Sequence, residues 1–575
     1  MSNLPASFKR QHWGLILAMA ITTWLVFFVL ILYVTWGWLT PWGDFLNHVS
    51  YWFNILKEIL SKRTFDLWEV YWAFIVNHNY KWPFITYIFL SATIALFPAY
   101  KFASLIYVSG GLDRYFHVSG PYLFQGSTAL SRAKRAAKHD KGKFGIKLHP
   151  KLKIKKVRES GNIFVVGSQG TGKTVFITPI IQQIIDRGER AFIYDEKREF
   201  TALFYNTSST ILIAPWDARG TPWNIQADAS SNEEAVLIAE RLISETKEPI
   251  WSTGARSLFA GMMVTLNETG EPWGWIELAN MLTKDRHSLK ALLSKHYPQA
   301  ALFIEDDSKT TESYFAQLNS SLNWVHTLAV AWPKSYKDGF SISSWTNNTN
   351  TNKPVIIVQA NKRYKGIAAP IADAFISLMT SNILAQENST TRELWLFLDE
   401  IGNLPKNPAL LEWMSLGRSK GCRIVAGTQS ISQLEHIYGK PQANTLLSMF
   451  TLLVSMRVGA AGETASYVSK FFGEREVEKP TSSAGIKAGT TQNWHREVIP
   501  LVAASELPQL PQPNKKGVYG FILIPGYKAV YKLCWPYQKQ KKVSNEQVPA
   551  EWLKSKSNNS SKKLSRKSKF TNWGK

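Results

Sequence analysis

A glycine-rich segment between two apolar stretches constrains the fold more than any other feature of this sequence. Residues 162–167 read Asn-Ile-Phe-Val-Val-Gly, the pattern of a buried strand, and the apolar run 175–185 is typical of a helix. The residues that join these two stretches are Gly167, Ser168, Gln169, Gly170, Thr171, Gly172, Lys173 and Thr174. A strand, a glycine loop ending in Lys-Thr and a helix, in this order, form the Walker A pattern.

The residue types of this loop suit a nucleoside triphosphate. Glycines let backbone N–H groups approach phosphate oxygens, and the N-terminus of the following helix adds a favourable dipole. Lys173 is expected to reach the β- and γ-phosphates, and the Thr174 hydroxyl is expected to ligate magnesium. We therefore predict that residues 167–174 bind ATP together with Mg²⁺.

A second apolar strand pattern ends in paired acids at Asp399 and Glu400, and begins at Trp395. Together with the glycine loop it is interpreted as Walker B. Asp399 is expected to hold the magnesium ion directly or through water, and Glu400 to polarise the attacking water as a general base. Gln429 ends another strand-like run, where its amide either contacts the γ-phosphate or the water, or is an ordinary strand-end amide.

Further strand-like runs alternate with helical stretches, which predicts an α/β fold with a parallel, doubly wound sheet. These runs are 191–195, 211–214, 354–360, 423–429 and 451–458. From Lys173 to Asp399 the chain is far longer than a compact strand–helix core needs. Residues 230–345 show helical periodicity with few strand signals, so we predict an inserted all-α domain there.

Two N-terminal segments are apolar enough to cross a membrane. No Asp, Glu, Lys or Arg occurs between Arg10 and Asp44, and a second apolar segment covers residues 82–100. A spanning helix needs roughly 20 apolar residues. We predict transmembrane helices at about 13–39 and 82–100, because the first run is too long for a signal peptide and no cleavage pattern follows it.

The distribution of charge orients these segments. The chain carries 67 Lys and Arg against 43 Asp and Glu. The excess is concentrated in residues 101–160 and in a Ser/Asn/Lys-rich tail from residue 553 onward. The positive-inside rule predicts a multi-pass protein with both termini in the cytoplasm and a small periplasmic loop at 43–81. Part of the positive charge in residues 101–160 is explained by their cytoplasmic position next to the second span and by attraction to anionic lipid headgroups.

Only two cysteines occur, Cys422 and Cys534, and neither belongs to a Cys-x-x-Cys pair, so a disulfide framework and a zinc site are both disfavoured.

The predicted boundaries are a membrane domain at 1–105, the two parts of the nucleotide-binding domain at 106–229 and 346–540, the all-α domain at 230–345, and a basic disordered tail at 541–575.

With these motifs in hand, the chain resembles the type IV coupling proteins of bacterial conjugation, the TraG/TraD/TrwB-like and VirD-type membrane ATPases. The resemblance extends from the two spans to about residue 537. Besides the Walker motifs it includes Tyr194-Asp195-Glu-Lys197, Ala214-Pro215-Trp216-Asp217-Ala-Arg219, Trp223-Asn224, Gly417-Arg418-Ser-Lys-Gly421, Gln429-Ser430 and Phe472-Gly473. In the resembled family a Lys-Gly-Glu sequence usually follows the aspartate that corresponds to Asp195. In this sequence the corresponding residues are Lys197-Arg198-Glu199.

The resemblance implies a RecA-like P-loop NTPase domain interrupted by an all-α domain, which assembles into a homo-hexamer in the bacterial inner membrane. Such proteins receive relaxase-bound single-stranded DNA from the relaxosome and feed it to a type IV secretion channel, and double-stranded DNA is a further possible ligand. By similarity, Arg418 is the candidate arginine finger for the ATP of a neighbouring subunit. Arg423 and Arg457 are its competitors.

Three alternatives stay open on the sequence alone. One is an FtsK-like translocase of double-stranded DNA, although no segment after residue 537 is long enough for a C-terminal winged helix. Another is a receptor that binds nucleotide without hydrolysing it, which the full set of Lys173, Asp399 and Glu400 disfavours. The third is a coupling protein that delivers effector proteins instead of DNA. For DNA contact the best cluster is Lys362, Arg363 and Tyr364, with a solvated basic loop as the competing interpretation.

Overall fold

The computed structural model describes residues 13–39, 44–62, 64–106, 116–348, 351–389, 391–485 and 489–554. These residues form two compact units. The first contains the described residues up to Ser119 together with Glu476–Ile499, and the second contains Gly120–Arg475 and the described residues from Pro500 onward.

The helices are numbered in chain order. They are α1 Trp13–Leu39, α2 Phe45–Lys62, α3 Asp66–Asn77, α4 Lys81–Ile106, α5 Ser127–His139, α6 Lys156–Glu159, α7 Lys173–Asp186, α8 Glu199–Phe204, α9 Ile225–Asp228, α10 Asn232–Leu242, α11 Pro249–Glu268 and α12 Trp275–Leu282. They continue with α13 Arg286–His296, α14 Pro298–Ala301, α15 Lys309–Leu322, α16 Val325–Ala331, α17 Ser335–Asp338, α18 Ile342–Asn347, α19 Lys365–Leu384, α20 Pro408–Ser415, α21 Ile431–Tyr438, α22 Lys440–Ser448 and α23 Thr464–Phe472.

The strands are numbered in the same way. They are β1 Phe116–Ser119, β2 Tyr122–Phe124, β3 Phe144–His149, β4 Leu152–Lys155, β5 Asn162–Val166, β6 Arg190–Asp195, β7 Thr210–Ile213, β8 Val355–Gln359, β9 Leu394–Leu398, β10 Cys422–Thr428, β11 Phe450–Ser455, β12 Glu474–Gly485, β13 Gly489–Pro500, β14 Val518–Leu523 and β15 Ala529–Trp535.

In the first unit, α1 and α4 pack as an antiparallel pair held partly by hydrogen bonds from aromatic side chains. Trp24 Nε1 donates to the carbonyl oxygen of Ala92 at 2.9 Å, and the Tyr87 hydroxyl donates to that of Leu32 at 2.9 Å. The segment predicted as a small external loop contains α2 and α3. A sheet in the order β1-β12-β13 belongs to the same unit.

By length and apolar composition, three helices among the described residues could span a membrane, with spans at Leu17–Gly37, Lys81–Ala103 and Gly366–Leu384. The first two coincide with the predicted spans and are only 6% and 28% buried. The third is 72% buried inside the second unit. Its apolar character is therefore that of a core helix, α19, which packs against α10, α18 and α20.

A ten-stranded sheet forms the centre of the second unit, in the order β2-β15-β14-β11-β5-β10-β9-β6-β8-β7. The seven strands from β11 to β7 are mutually parallel. Their residues are almost all buried, as expected for strands that are covered on both faces. All five predicted core strands are present in this part of the sheet.

The predicted parallel core is present, and the sheet continues beyond it at one side as a mixed sheet. β14 pairs antiparallel with both β11 and β15, and β2 then adds parallel to β15. The connection from β14 to β15 is only five residues long, 524–528. So short a turn can join antiparallel neighbours but not parallel ones, which need a crossover.

Between β7 and β8 the described residues form helices α9 to α18, and no strand occurs among them. α10 begins with a capping box, in which Ser231 accepts from the Glu234 backbone while the Glu234 side chain bonds back. The long helix α11 packs against α10, α13, α14 and α15. Tryptophans 273 and 275 are fully buried in this helical domain.

Residues 541–554, assigned from the sequence to the tail, lie along the ends of β6, β7 and β8 in the second unit. Val543 N donates to the carbonyl oxygen of Ala202 at 2.9 Å, and Ala550 N donates to that of Trp216 at 3.0 Å. Trp552 Nε1 donates to the carbonyl oxygen of Pro215 at 2.8 Å. The remainder of the predicted tail, 555–575, lies outside the described residues.

Candidate nucleotide-binding site

The glycine loop joins the carboxyl end of β5 to the first residue of α7, which is Lys173. Gly170 and Gly172 have φ values of 73° and 99°, a conformation that L side chains rarely adopt. A Cβ atom on Gly172 would also lie 2.5 Å from Val518 Cγ1. Gly167 donates through its N–H to the carbonyl oxygen of Thr428, and Ser168 to that of Arg457. The neighbouring strands β10 and β11 therefore anchor the loop.

Lys173 is buried inside its own loop. Its Nζ donates to the carbonyl oxygen of Gly167 at 2.7 Å. Burial lowers the pKa of Lys173, while the nearby carboxylates of Glu400 and Asp399 act in the opposite direction. Thr174 is half-buried next to it, and Gln169 is exposed at the tip of the loop. The eight residues of the predicted loop thus run from the end of β5 to the first turn of α7.

The paired acids follow β9, two strands away from the loop. Asp399 and Glu400 are both almost fully buried. Glu400 Oε1 accepts from Thr428 Oγ1 at 3.0 Å and from the backbone N–H of Gln429 at 3.1 Å. Within the part of the chain that the structure describes, Asp399 Oδ1 and Glu400 Oε2 are buried without a hydrogen-bond partner. Burial raises the pKa of Glu400, against the influence of Lys173.

Two buried, unpartnered carboxylate oxygens are costly unless another group satisfies them. The loop ahead of them has the backbone geometry of a phosphate cradle, and Mg²⁺ is usually bound by one or two carboxylates plus phosphate oxygens and water. In the described residues no group of three or more His, Cys, Asp or Glu side chains could hold a metal ion alone. The glycine loop and the unpartnered oxygen of Asp399 therefore fit a nucleotide phosphate together with Mg²⁺.

Gln429 lies directly after β10, half-buried, between the glycine loop and the paired acids. The register pairs Thr428 with Val166 and Ala426 with Leu398. Gln429, Gly167 and Asp399 consequently follow the carboxyl ends of three adjacent parallel strands. This edge of the sheet is where ligands bind in doubly wound α/β folds.

The end of β6 adds two residues to this edge. Asp195 is fully buried, and its Oδ2 accepts from Thr201 N at 2.6 Å and Thr201 Oγ1 at 2.7 Å. Burial raises the pKa of Asp195 to about 6, despite these hydrogen bonds. Lys197 Nζ lies 3.4 Å from Asp399 Oδ2. The Lys197 ammonium thus contacts the carboxylate predicted to hold magnesium.

Arg198 replaces the glycine that the resembled family carries at this position. Its φ is 66°, in the left-handed region that favours glycine. Its Nη1 donates to Gln547 Oε1 at 2.5 Å. The turn therefore keeps the glycine-like conformation, and the arginine gains a partner in the C-terminal segment.

Gln359, at the end of β8, is a buried residue of this edge that belongs to none of the sequence motifs. Its Oε1 accepts from Trp216 Nε1 at 2.9 Å, and its Nε2 donates to Thr201 Oγ1 at 3.1 Å and to the Glu546 carbonyl oxygen at 3.0 Å. The sequence contains the same signal that drew attention to Gln429, an amide after an apolar strand. Gln359 connects the C-terminal segment to Thr201 and Asp195.

Arg418 lies at the opposite edge of the sheet. It belongs to the 3₁₀ turn Gly417–Lys420 before β10, it is exposed, and its Nη2 donates to Ser160 Oγ at 3.3 Å. The seven residues of β10, about 20 Å of strand, separate it from the glycine loop of its own chain. The structure does not bring Arg418 together with the other predicted site residues of the same chain.

The two competing arginines have different surroundings. Arg423 is buried and pairs with Glu393 at 3.5 Å. Arg457 is half-buried, and its carbonyl oxygen accepts from Ser168 N at 2.9 Å at the site edge. Arg423 is thereby engaged within its own subunit.

The basic cluster suggested for DNA contact forms a 3₁₀ turn, Lys362–Tyr364, after β8. Lys362 and Arg363 are exposed. Tyr364 stacks on Trp216 with ring centroids 5.7 Å apart and an interplanar angle of 3°. Its ring is therefore a packing element of this turn, whereas the two cations face solvent.

Fold and site together define a P-loop nucleotide-binding protein with a RecA-like core and an inserted helical domain. Residues 147–527 match the family described as Type IV secretion-system coupling protein DNA-binding domain. This match covers more than half of the chain, so the protein belongs to the type IV coupling protein family of conjugative DNA transfer.

Similar proteins agree with this assignment. Coupling protein TraD of Escherichia coli strain K12 is 25% identical over 408 residues, which cover 69% of this chain and 56% of TraD. The chain thus spans little more than half the length of this curated relative.

Two solved structures show the same fold. The bacterial conjugative coupling protein TrwBdeltaN70, in its unbound monoclinic form, has a TM-score of 0.65 at 23% identity. This match covers 76% of the present chain and 98% of the TrwBdeltaN70 chain. Plasmid coupling protein TrwB in complex with ADP and Mg²⁺ has a TM-score of 0.63 at 22% identity. This match covers 77% of the present chain and 99% of the TrwB chain.

Proposed function

We propose that this protein is an inner-membrane ATPase that couples relaxase-bound single-stranded DNA to a type IV secretion channel during bacterial conjugation. The observation that carries the proposal is the pair of buried, unpartnered oxygens, Asp399 Oδ1 and Glu400 Oε2, beside the lysine of the glycine loop. A protein that only bound DNA would have no use for this arrangement, because buried carboxylate oxygens without hydrogen-bond partners destabilise a fold.

Magnesium and ATP are the proposed ligands of this site. Thr174 and Asp399 would hold Mg²⁺, which neutralises phosphate charge when it is bound. Residues 167–173 would bind the phosphates through backbone N–H groups and the Lys173 ammonium. The related TrwB structure with ADP and Mg²⁺ supports this assignment.

Glu400 is the proposed general base. Its Oε1 is held by Thr428 and by the Gln429 backbone, so the unpartnered Oε2 is the oxygen oriented to accept a proton from water. The side-chain amide of Gln429, on the next strand, would orient that water or contact the γ-phosphate. Lys173 would leave the Gly167 carbonyl to stabilise the developing charge.

Arg418 is the proposed arginine finger, acting on the nucleotide of a neighbouring subunit. Its position at the amino edge of the sheet, roughly the length of β10 from its own glycine loop, supports a role in trans, since it cannot act in cis. A ring in which each subunit gives an arginine to the next satisfies this requirement. The proposed assembly is the homo-hexamer of the resembled family.

The proposed cargo is DNA, in keeping with the family description. The relaxase would deliver the transfer strand, and the secretion channel would receive it. The exposed Lys362 and Arg363 are available for phosphate contacts. Double-stranded DNA as a ligand and protein effectors as cargo are tested by the experiment below.

The proposed location is the bacterial inner membrane, with α1 and α4 as spans and both termini in the cytoplasm. Two observations support it. The spans at Leu17–Gly37 and Lys81–Ala103 expose their apolar side chains, and the basic stretch 101–160 follows the second span directly.

ATP hydrolysis by the full-length protein in lipid nanodiscs, with single-stranded DNA, double-stranded DNA, a candidate secreted protein or no addition, tests the proposal. Lys173→Ala is the blank, and Lys153→Ala, which removes an exposed lysine outside the site, is the matched control. We expect DNA to stimulate hydrolysis by wild type and the control, and Lys173→Ala to lose at least about 10³-fold in rate.

The outcomes separate the alternatives. Stimulation by single-stranded DNA only supports a coupling protein for the transfer strand, whereas stimulation by double-stranded DNA only favours an FtsK-like translocase. ATP binding without hydrolysis under every condition would contradict the motor. Hydrolysis that responds to a secreted protein but to neither DNA would change the cargo to effectors.

A further inference from the structure

The helix α2 has three distinct faces in the first unit. One face is packed against the protein and includes Ile55, which is only 5% exposed. A second face is polar and exposed, and its members recur at helical spacing: Asn47, Ser50, Asn54, Lys57 and Ser61. The third face is apolar and exposed, and it is the one that needs an explanation.

The apolar exposed face consists of Leu46, Phe53, Leu56 and Leu60, which we call the α2 stripe. Their exposed fractions are 70%, 66%, 53% and 76%. The intervals of seven, three and four residues align these side chains along one side of the helix. A contiguous row of large apolar side chains in water is unfavourable, and such rows mark interaction surfaces.

The position of α2 along α1 identifies the surface that covers the stripe. Phe45, His48 and Trp52 have ring centroids 5.4, 4.9 and 5.8 Å from that of Trp36. Phe45 and Trp52 are about 10 Å apart along the α2 axis, so α2 crosses α1 at Trp36 instead of continuing its direction. Trp36 is the second-last residue of the candidate span Leu17–Gly37. The crossing therefore lies at the level where the apolar span ends.

Short connections keep α2 at this level. α1 ends at Leu39 and α2 begins at Phe45. After α2, the Glu58 carboxylate accepts from Thr64 Oγ1 at 3.1 Å and from Leu67 N at 3.0 Å, which ties the start of α3 back to α2. A helix held across the end of a membrane span, with one polar face and one apolar face, has the properties of an interfacial helix.

We propose that α2 lies in the plane of the membrane at the end of α1 and that the α2 stripe is buried in lipid. Lipid acyl chains are the proposed occupant, because the stripe contains no charged residue and its helix crosses the exposed apolar span of α1 at Trp36. Asn54 and Lys57 then face water and headgroups. This inference rests on the proposed membrane location and goes beyond it.

The test uses single cysteines that carry an environment-sensitive fluorophore, in the full-length protein with Cys422→Ala and Cys534→Ala, reconstituted in nanodiscs with or without doxyl-labelled lipid. Phe53→Cys reports on the stripe, and Asn54→Cys is the matched control one residue away. Val26→Cys, on an exposed position within the first span, reports on the membrane itself.

We expect doxyl lipid to quench Phe53→Cys at least about twofold more strongly than Asn54→Cys, with a blue-shifted emission at Phe53→Cys only. Equal quenching at the two positions, or a water-exposed probe at Phe53→Cys, would overturn the inference. A blue shift without lipid quenching would mean that protein covers the stripe, which also overturns it.

The same experiment tests the proposed membrane location independently of the inference about α2. If Val26→Cys is not quenched, then α1 is not in lipid and the proposed location is wrong. If Val26→Cys is quenched and Phe53→Cys is not, only the inference about α2 is wrong. Leu60→Cys with its neighbour Ser61→Cys repeats the comparison on the same two faces, which covers the case that Phe53→Cys does not fold.

Discussion

The side-chain amide of Gln359 donates a 3.0 Å hydrogen bond to the backbone carbonyl oxygen of Glu546, although 187 positions separate the two residues. The same amide group donates to Thr201 Oγ1, which in turn donates to Asp195 Oδ2. The C-terminal segment is thereby joined through buried hydrogen bonds to the strand end that precedes Lys197, the residue in contact with Asp399.

Gln359→Met tests the strength of this connection. The methionine fills a similar volume but cannot bond, so Trp216 Nε1, Thr201 Oγ1 and the Glu546 carbonyl each lose a partner. At roughly 1 kcal/mol per bond we expect a loss of about 3 kcal/mol in stability. We also expect faster tryptic cleavage at the lysines of residues 539–542.

Thermal unfolding and limited proteolysis of the full-length protein measure both effects. Gln182→Met is the control, because the Gln182 amide is exposed on α7 and bonds only to Asp186 among the described residues. A Gln359→Met protein as stable as the control would show that the C-terminal segment is held by its other contacts.

Glu400→Gln is expected to bind ATP and to lose hydrolysis, because glutamine keeps the hydrogen-bonding shape but cannot take a proton. Burial raises the pKa of Glu400, so in wild type the active, deprotonated form is lost as the pH falls through a value above that of an exposed glutamate. The acid limb of kcat/KM against pH locates this pKa in the free protein.

Fluorescent-nucleotide binding separates loss of binding from loss of turnover in Glu400→Gln. The conservative variant Glu400→Asp is the control, since it retains a carboxyl group at a shorter reach and should recover part of the rate. Undiminished hydrolysis by Glu400→Gln would exclude Glu400 as the base.

Arg418→Ala is expected to bind nucleotide normally and to hydrolyse it about 10³-fold more slowly, because a charge that stabilises the transition state is removed from the neighbouring site. Mixing it with Lys173→Ala should partly restore activity, since some interfaces then combine an intact glycine loop with an intact Arg418. ATPase titration over several mixing ratios measures the rescue.

Lys420→Ala, in the same 3₁₀ turn, is the control for Arg418. It removes a cation from the same turn without removing the arginine. If no ratio of the two inactive variants regains activity while Arg418→Ala alone is inactive, then Arg418 does not act in trans.

Asp195→Asn is expected to change how stability depends on pH. Burial raises the pKa of Asp195 from an ordinary value of 3.8 to about 6, so the folded state favours the protonated form. This contribution to stability is fully present below pH 3.8 and is lost as the pH rises through 6. Relative to Asp195→Asn, wild type should lose about 3 kcal/mol across this range.

The midpoints of thermal unfolding of the two proteins between pH 4 and pH 7 measure this difference. Asp338→Asn, which alters an exposed carboxylate, is the control and should follow wild type. A constant difference between wild type and Asp195→Asn at all pH values would mean that Asp195 is ionised in the folded protein throughout the range.

The sequence predicted the core of the fold well because its signals there are local. The largely apolar runs of β5, β8 and β9 are recognisable without partners, and the glycine loop has its expected setting between a strand and a helix. The order of motifs also brings Gly167, Asp399 and Gln429 to one edge, as the register of β5, β10 and β9 confirms.

What the sequence did not predict depends on contacts between distant positions. β2 has only three residues and pairs with β15 some 400 positions later, so no periodicity reveals it. Residues 541–554 are polar and look like part of a tail, yet their backbone groups bond to Ala202 and Trp216. The role of Arg418 cannot be predicted from neighbouring residues either, because the nucleotide on which it is proposed to act belongs to another subunit.

In the chain, the helical domain connects β7 to β8. These two strands are hydrogen-bonded parallel neighbours at the edge of the sheet. Parallel neighbours always require a long crossover, usually a helix. The crossover from β7 to β8 therefore accommodates a whole helical domain without changing the order of a single strand. A change in the length of this crossover would alter the helical domain and leave the strand order at the nucleotide-binding edge unchanged.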